Sequence, residues 1–131
     1  MQTETIATDA APAPGGYYAQ AIRAGELLVL SGQVGVDPAT GAVADGVAGQ
    51  TRQAIANLDA VLRAAGGSLA SLVKTTCFLT SVDAFAEFNA AYMEAFGDHC
   101  PTRSTVGVDL AGGFLVEIEG IALLHRGGEA G

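Results

Sequence analysis

The stretch Phe114-Leu115-Val116-Glu117-Ile118-Glu119-Gly120-Ile121-Ala122 decides the fold, because its side chains alternate in character with the period of a β-strand. Every second residue from Phe114 to Leu124 is apolar or glycine, which predicts a face packed on a core. The residues between them, from Leu115 to Leu123, mix large apolar side chains with Glu117 and Glu119. The stretch therefore predicts a long strand with a core face and a second, mixed face.

The segment before this strand, Pro101-Thr102-Arg103-Ser104-Thr105, places an arginine in a chain that has only six lysines and arginines. A guanidinium is a planar clamp for a carboxylate ligand. A neighbouring carboxylate such as Glu117 can transfer a proton or hold a water molecule. The first hypothesis is therefore a small anionic substrate bound by Arg103 beside Glu117 as base. A structural ion pair of Arg103 with Glu117 or Glu119 is the alternative.

Hydrophobic periodicity predicts the remaining elements on either side of this region. Residues 1–14 are predicted to be a loosely specified leader of a single domain that spans residues 1–131. The order β-β-α-β-α-β-β predicts an α+β sandwich, with one mixed sheet and two helices on one face. The strands are predicted at 17–22, 26–34, 72–79, 103–110 and 114–124, and the helices at 47–65 and from about 81–83 to 97.

The helix-free face of the sheet is predicted to mix apolar and polar side chains. Alternation assigns Leu27, Val29, Ser31 and Gln33 to this face, opposite Leu28, Leu30 and Val34. It also assigns Arg103, Thr105 and Asp109 to the helix-free face, together with Glu117, and Val106 and Val108 to the other. A half-apolar open face predicts burial against another subunit, and polar groups within it predict a pocket at the subunit boundary.

Composition narrows the classes of function. Half of the 131 residues are hydrophobic, and the formal net charge is −8. This charge argues against binding a nucleic acid through a broad basic surface. The chain has no apolar run that could span a membrane and starts without a secretory pattern, so we expect a cytoplasmic protein. Cys77 and Cys100 form no metal-binding spacing with His99 and His125, so we expect neither a metal nor a cofactor.

A series of short segments follows in a fixed order from about residue 12 to residue 124. The segments are Gly16-Tyr17-Tyr18-Ala19-Gln20-Ala21, Leu30-Ser31-Gly32-Gln33, Asp37-Pro38-Ala39-Thr40-Gly41, Gln50-Thr51-Arg52-Gln53, Asn57-Leu58, Ala64-Ala65-Gly66-Gly67-Ser68-Leu69, Val73-Lys74-Thr75-Thr76, Asp83-Ala84-Phe85, Asn89, Tyr92, Phe96, Pro101-Thr102-Arg103-Ser104 and Val116-Glu117-Ile118-Glu119-Gly120-Ile121-Ala122. Each is weak alone, but their order and spacing are specific. Together they resemble the RidA (YjgF-type) family of enamine/imine deaminases.

The resemblance implies a chorismate-mutase-like α+β fold and a homotrimer with three clefts between subunits. It implies hydrolysis of 2-aminoacrylate-type enamines and imines to 2-keto acids and ammonia, without metal or organic cofactor. In this family the arginine holds the substrate carboxylate and the first glutamate positions or activates water, roles that fall on Arg103 and Glu117. Further substrate-binding positions fall on Tyr18, Ser31, Gly32 and Asn89, and on Thr105 through its backbone N–H.

The chain departs from the family pattern at a few positions near these residues. Tyr17 replaces a proline, Thr102 an alanine and Thr105 a cysteine, while Leu110-Ala111-Gly112-Gly113 replaces a Leu-Pro. These changes bear on the shape of the pocket, and hence on substrate preference, more than on the chemistry. Two other functions stay open from the sequence: a non-catalytic trimer that binds or senses a small carboxylate such as a 2-keto acid, and an endoribonuclease.

Overall fold

Six strands and two helices make up the computed structural model, which describes residues 2–125. Short 3₁₀ turns lie at Leu69–Ser71, Val82–Ala84 and Ala111–Gly113. None of the helices in this part of the chain is long and apolar enough to cross a membrane. The elements are β1 Thr3–Ile6, β2 Ala21–Ala24, β3 Leu27–Val34, α1 Gly46–Ala64, β4 Leu72–Leu79, α2 Phe85–Phe96, β5 Thr102–Gly107 and β6 Val116–Leu123.

The strands form one mixed sheet in the order β1-β2-β3-β6-β4-β5. β4 and β5 are parallel, and every other neighbouring pair is antiparallel. Both helices lie on one face, where they bury Val116, Ile118 and Ala122 of β6. The predicted α+β fold class is confirmed. The side chains of β6 that were predicted to pack on the core do so.

Helix α1 forms because its apolar residues recur on one side. Ile55, Leu58 and Leu62 are almost completely buried against the sheet. Each such side chain contributes about 1.5–3 kcal/mol through its removal from water. The helix ends before Gly66, whose φ of 89° needs a residue without a Cβ atom. The predicted end of this helix at Gly66-Gly67 is confirmed.

The beginning of the chain differs from the sequence prediction. Part of the predicted leader is a strand, β1, although only Ile6 of its residues is buried. β1 is an edge strand whose pairing with β2 depends on the backbone, so the sequence shows no hydrophobic alternation there. β2 begins at Ala21 rather than Tyr17. The residue before it, Gln20, is buried, and its side-chain amide forms hydrogen bonds to the backbone of the segment between β1 and β2. Its Nε2 donates to Pro12 O at 2.9 Å, and its Oε1 accepts from Thr8 N at 2.7 Å.

A β-bulge in β3 reverses the predicted alternation after Leu30. The register shifts between Leu30 and Gln33, so that Gln33 pairs with Ile118 and Val34 pairs with Glu117. The Gln33 side chain is consequently buried on the helix side, and Val34 lies on the open face. The predicted faces of Gln33 and Val34 are therefore wrong, since one extra residue inverts every side chain after it.

The predicted face of Arg103 and Thr105 is also wrong. β5 pairs with β4 in parallel, with Arg103 opposite Thr75 and Thr105 opposite Cys77. Thr75 and Cys77 are fully buried on the helix side of the sheet, so Arg103 and Thr105 face the helices. β5 is an edge strand of mostly small polar residues. Its sequence does not alternate between apolar and polar residues, so it does not show which side chains face the helices.

Candidate active site

Arg103 is held by one amide and three aromatic rings of α2. Its Nη1 donates to Asn89 Oδ1 at 2.8 Å. Its guanidinium carbon lies 4.7 Å from the ring centroid of Tyr92, and 5.5 and 5.6 Å from those of Phe85 and Phe88. Each of these cation–π contacts contributes roughly 0.5–2 kcal/mol, depending on how far the group is desolvated.

No carboxylate of residues 2–125 forms an ion pair with Arg103. The alternative that Arg103 pairs with Glu117 or Glu119 is therefore wrong, because both glutamates lie on β6 with their side chains on the other face of the sheet. Neutral neighbours fix the guanidinium without neutralising its charge. The full positive charge is thus available to an anionic ligand.

Helix α2 supplies this cage through its spacing. Phe85, Phe88, Asn89 and Tyr92 follow i, i+3, i+4, i+7 and share one side of the helix. The Tyr92 hydroxyl shares a 2.7 Å hydrogen bond with Thr75 of β4, and burial raises the pKa of Tyr92. Phe88 and Tyr92 are also buried in the core, and the sequence analysis did not predict the cage that they form around Arg103. The helical spacing that places Asn89 on the same face as the aromatic residues was the feature of the sequence from which this cage could have been predicted.

A cavity of about 490 Å³ opens beside this arginine, and we call it the Arg103 pocket. It lies between the second half of α2 and the segment that leads to β5. Cys100, an exposed free thiol, is part of its wall. The lining residues are Asn89, Tyr92, Met93, Phe96, Gly97, His99, Cys100, Pro101 and Arg103.

Glu117 lies in a second group of predicted site residues, on the helix-free face. With Tyr18, Ser31, Gly32 and Glu119 it lines a cavity of about 310 Å³, which we call the Glu117 pocket. A Cβ atom at Gly32 would lie 2.8 Å from the Glu117 carboxylate, so the absence of a side chain at this position makes room for it. A neighbouring cavity of about 450 Å³ is lined by Glu117 and by Ala111-Gly112, part of the segment that departs from the family pattern.

The environment of Glu117 changes its acidity. Burial raises the pKa of the Glu117 carboxyl above its ordinary value of 4.5, and the charge of Glu119 raises it further. Within residues 2–125 the carboxylate has no hydrogen-bond partner. A half-buried carboxylate with a raised pKa and free oxygens is a better base than an exposed one, and it has room to bind a water molecule.

Ser31 and Tyr18 present different hydrogen-bonding groups to the Glu117 pocket. Ser31 Oγ donates to Ala19 O at 2.6 Å, so its lone pairs are left to accept a hydrogen bond. The Tyr18 hydroxyl accepts from Gly15 N at 3.1 Å and keeps its own hydrogen to donate. Around the Glu117 carboxylate, Tyr18 thus offers a hydrogen-bond donor and Ser31 an acceptor.

The predicted site residues therefore form two groups rather than one. Arg103, Asn89 and Thr105 lie on the helix side, whereas Tyr18, Ser31, Gly32 and Glu117 lie on the open side. β4 separates β5 from β6, so the two groups are also about 10 Å apart across the sheet, at about 4.8 Å per strand. A ligand of a few atoms cannot contact both Arg103 and Glu117 of the same copy.

The described residues contain no metal-binding cluster, and the buried Cys77 offers no reactive thiol. Across residues 2–125, no three His, Cys, Asp or Glu side chains come close enough to hold a metal ion. Cys77 is fully buried, and burial raises the pKa of its thiol to about 11, which keeps it protonated and unreactive.

Residues 8–124 match the family model described as Endoribonuclease L-PSP. The chain belongs to this family. Its resemblance to the RidA (YjgF-type) proteins is confirmed by a 2-iminobutanoate/2-iminopropanoate deaminase from Salmonella typhimurium, which is 43% identical over 125 residues and aligns over 92% of this chain and 98% of its own length. A RutC family protein from Pyrococcus horikoshii is 45% identical over 91% of this chain and 96% of its own length.

Solved structures of relatives share the fold. The YjgF gene product of Escherichia coli superposes with a TM-score of 0.88 at 42% identity, covering 92% of this chain and 98% of its own. TdcF of Escherichia coli with bound serine has a TM-score of 0.89 at 36% identity and covers 93% of this chain and 99% of its own. The relative from Salmonella typhimurium is named as a deaminase, whereas the name of the relative from Pyrococcus horikoshii states no reaction.

Proposed function

We propose that the protein is a hydrolytic deaminase of reactive enamines and imines of the 2-aminoacrylate type. The observation that carries the proposal is the Arg103 guanidinium, held by Asn89 and aromatic rings and left without a carboxylate partner in residues 2–125. Such a group is suited to the carboxylate of an imino acid. The deaminase name of the Salmonella typhimurium relative and the serine bound by TdcF support the same ligand class.

The reaction needs few protein groups. The enamine tautomerises to the imine, water adds to the imine carbon, and the carbon–nitrogen bond breaks to release ammonia and leave a 2-keto acid. Arg103, Asn89 and the Thr105 backbone N–H hold the carboxylate, while Glu117 takes a proton from the attacking water and returns it to the leaving nitrogen. Tyr18, Ser31 and Gly32 shape the Glu117 pocket around the substrate. Within this proposal neither a metal nor an organic cofactor takes part.

We place the complete site between subunits. The two groups of residues lie on opposite faces of one copy, so the Arg103 side of one subunit meets the Glu117 side of its neighbour. This arrangement differs from the prediction that Arg103 and Glu117 lie together on one face of the sheet. The exposed Leu27, Val29 and Leu123 on the open face support burial of this face, and a homotrimer with three such clefts is the proposed assembly.

The proposal excludes a nucleic acid substrate, although the family model is described as an endoribonuclease. The net charge of −8 opposes the approach of a polyanion. We also propose a cytoplasmic location without a membrane partner, since short-lived imines are best hydrolysed where they are formed.

The test is the release of ammonia and pyruvate from 2-aminoacrylate, generated from serine by a dehydratase, with and without this protein. We expect faster release with the protein, and the same rate after exhaustive chelation. Tight binding of pyruvate without any acceleration would replace the proposal with the carboxylate-sensing function. Loss of activity under chelation, restored by one metal, would contradict the cofactor-free mechanism.

A further inference from the structure

A buried amide, that of Gln20, forms hydrogen bonds to the backbone of the segment between β1 and β2. Gln20 leaves 4% of its surface exposed. Its Oε1 accepts from Thr8 N at 2.7 Å, and its Nε2 donates to Pro12 O at 2.9 Å and to Thr8 O at 3.1 Å. Burial of an amide is costly unless its polar atoms are bonded. Removal of this amide therefore leaves the backbone groups of Thr8 and Pro12 without the partner that holds them in the fold.

The bond to Pro12 O closes a loop of residues 13–19, which we call the Tyr18 loop. Gln20 itself is fixed to the sheet, because its carbonyl oxygen accepts from Ser31 N of β3 at 3.0 Å. The end of the loop at Ala19 is fixed in the same way, through the 2.6 Å bond from Ser31 Oγ. The beginning of the loop reaches this anchor through the Gln20 side chain. No residue of the loop belongs to a helix or strand, so the amide at its base limits its conformations.

The Tyr18 loop carries a hydroxyl into the Glu117 pocket. Tyr18 lines this pocket but leaves 51% of its surface exposed, so packing alone does not fix its ring. Its hydroxyl accepts from Gly15 N at 3.1 Å. Since Gly15 is itself part of the loop, this bond fixes the ring relative to the loop and not relative to Glu117. The position of the hydroxyl against the carboxylate therefore depends on what holds the loop to the sheet.

Resting on the deaminase function proposed above, we propose that Gln20 is a positioning residue, whose amide closes the Tyr18 loop and thereby directs the Tyr18 hydroxyl into the Glu117 pocket. This hydroxyl keeps its hydrogen for a bond to the imine nitrogen of the substrate or to the keto oxygen of the product. The backbone occupies the Gln20 amide, so Gln20 acts through Tyr18 and not on the substrate. A shift of the loop by about 1 Å is enough to weaken such a contact.

Hydrogen exchange followed by NMR tests whether Gln20 holds the loop. Gln20→Met removes the amide and keeps a side chain of similar length. We expect the Gly15 N–H, which Gln20 does not contact, to exchange at least about fivefold faster in this variant, because the loop opens locally. The Asp37 N–H, bonded to Ala42 O in a separate turn, should exchange at an unchanged rate. An unchanged rate at Gly15 in the folded variant would overturn the inference.

A double-mutant cycle tests whether Gln20 acts through Tyr18. Gln20→Met should lower kcat/KM for 2-aminoacrylate hydrolysis by about tenfold. Tyr18→Phe removes the hydroxyl, and the double variant should lose little more than Tyr18→Phe alone, since two residues that act through one contact are not additive. Losses that multiply in the double variant would show that Gln20 supports the fold in general, and would overturn the inference.

Thr51→Val is the control for loss of stability. Thr51 is fully buried, and its Oγ1 donates to Val47 O at 2.7 Å within α1. The substitution keeps the shape of the side chain and removes a buried hydrogen bond, so it should lower the unfolding temperature without changing kcat/KM. If Thr51→Val lowered kcat/KM as much as Gln20→Met does, the loss in Gln20→Met would report stability, and the positioning role would be wrong.

Calorimetry with pyruvate repeats the cycle independently of turnover. Gln20→Met and Tyr18→Phe should each weaken pyruvate binding by about fivefold, the value of one hydrogen bond, and the double variant should bind no more weakly than Tyr18→Phe. Hydrolysis by the wild type with multiplying losses would overturn the inference and leave the deaminase function intact. Coupled losses in pyruvate binding without any hydrolysis would support the role of Gln20 and contradict the deaminase function.

Discussion

At the scale of single residues, the main feature is an arginine whose charge is positioned but not neutralised. Asn89 and the Tyr92 ring orient the Arg103 guanidinium, and Thr75 in turn holds the Tyr92 hydroxyl. A carboxylate partner would have competed with an anionic ligand, and neutral partners do not. We therefore expect this position to need the planar guanidinium rather than any positive charge.

Arg103→Ala should reduce kcat/KM for imine hydrolysis by at least about 100-fold, because the bidentate carboxylate contact is worth roughly 3 kcal/mol. Arg103→Lys should recover little of this loss, since an ammonium is not a planar fork and does not stack on Tyr92. Steady-state kinetics and thermal unfolding of both variants measure the effect. Retention of most activity by a folded alanine variant would remove Arg103 from the site.

Glu117 should determine the acidic limb of the pH–rate profile. The carboxyl must be ionised to accept a proton, so activity falls as the pH drops through its raised pKa, which lies above 4.5. Glu117→Gln should lower kcat by roughly 10²–10⁴-fold while pyruvate binding changes little. Equal losses in turnover and binding would make Glu117 a binding group instead.

The neighbouring Glu119 should affect the same profile only indirectly. Its negative charge raises the pKa of Glu117, so Glu119→Gln should move the acidic limb to lower pH and leave the maximal rate nearly unchanged. A full pH profile of kcat/KM for both proteins checks the direction. An unmoved limb would mean that another group controls it.

At the scale of elements, the bulge in β3 builds the Glu117 pocket. It turns Gln33 into the core and leaves Gly32 beside the glutamate. A residue with a Cβ atom would push the Glu117 side chain aside, because this Cβ would stand 2.8 Å from the carboxylate. The bulge and the glycine together set where Glu117 points.

Gly32→Ala should therefore displace Glu117 and lower kcat by about tenfold or more, with a smaller effect on folding. Gly49→Ala is the matched control, because a Cβ at this position of α1 meets only Ala44 at 3.6 Å. It should preserve activity and raise the free energy of unfolding by up to roughly 0.5–1 kcal/mol. Kinetics and urea unfolding distinguish the two; full activity in Gly32→Ala would contradict the packing argument.

The elements also show how far sequence reasoning reaches. In β6 the apolar and charged residues alternate clearly, so the sequence predicted which side chains face the helices. The helical spacing of apolar residues predicted α1 and α2. The phase of β5 was not predictable, because an edge strand of small polar residues buries neither face fully. The sequence of β3 contains no sign of its bulge, apart from Gly32. Arg103 and Glu117 were thus proposed as site residues from residue type and family resemblance, but their positions on opposite faces were not predicted.

At the scale of the whole molecule, the open face should be an interface. Leu27 pairs with Leu123, and Val29 with Ile121, across β3 and β6 on this face. Leu27→Glu should convert the assembly to smaller species and lower activity at least about tenfold, because a buried unpaired charge is costly. Val43→Glu, at an equally exposed apolar position in a loop, is the control. Sedimentation at low micromolar concentration measures both, and a fully active monomer would contradict the assembly.

The division of the site between two copies is tested most directly by mixing two inactive variants. Arg103→Ala keeps a working Glu117, and Glu117→Gln keeps a working Arg103, so a mixed assembly contains some clefts with both groups intact. Refolding the variants together in equal amounts should restore about a quarter of the wild-type activity, since in a cyclic trimer each cleft takes one group from each of two neighbours at random. Each variant refolded alone should stay inactive. If the mixture is as inactive as its components, Arg103 and Glu117 do not meet across an interface, and the proposed site is wrong.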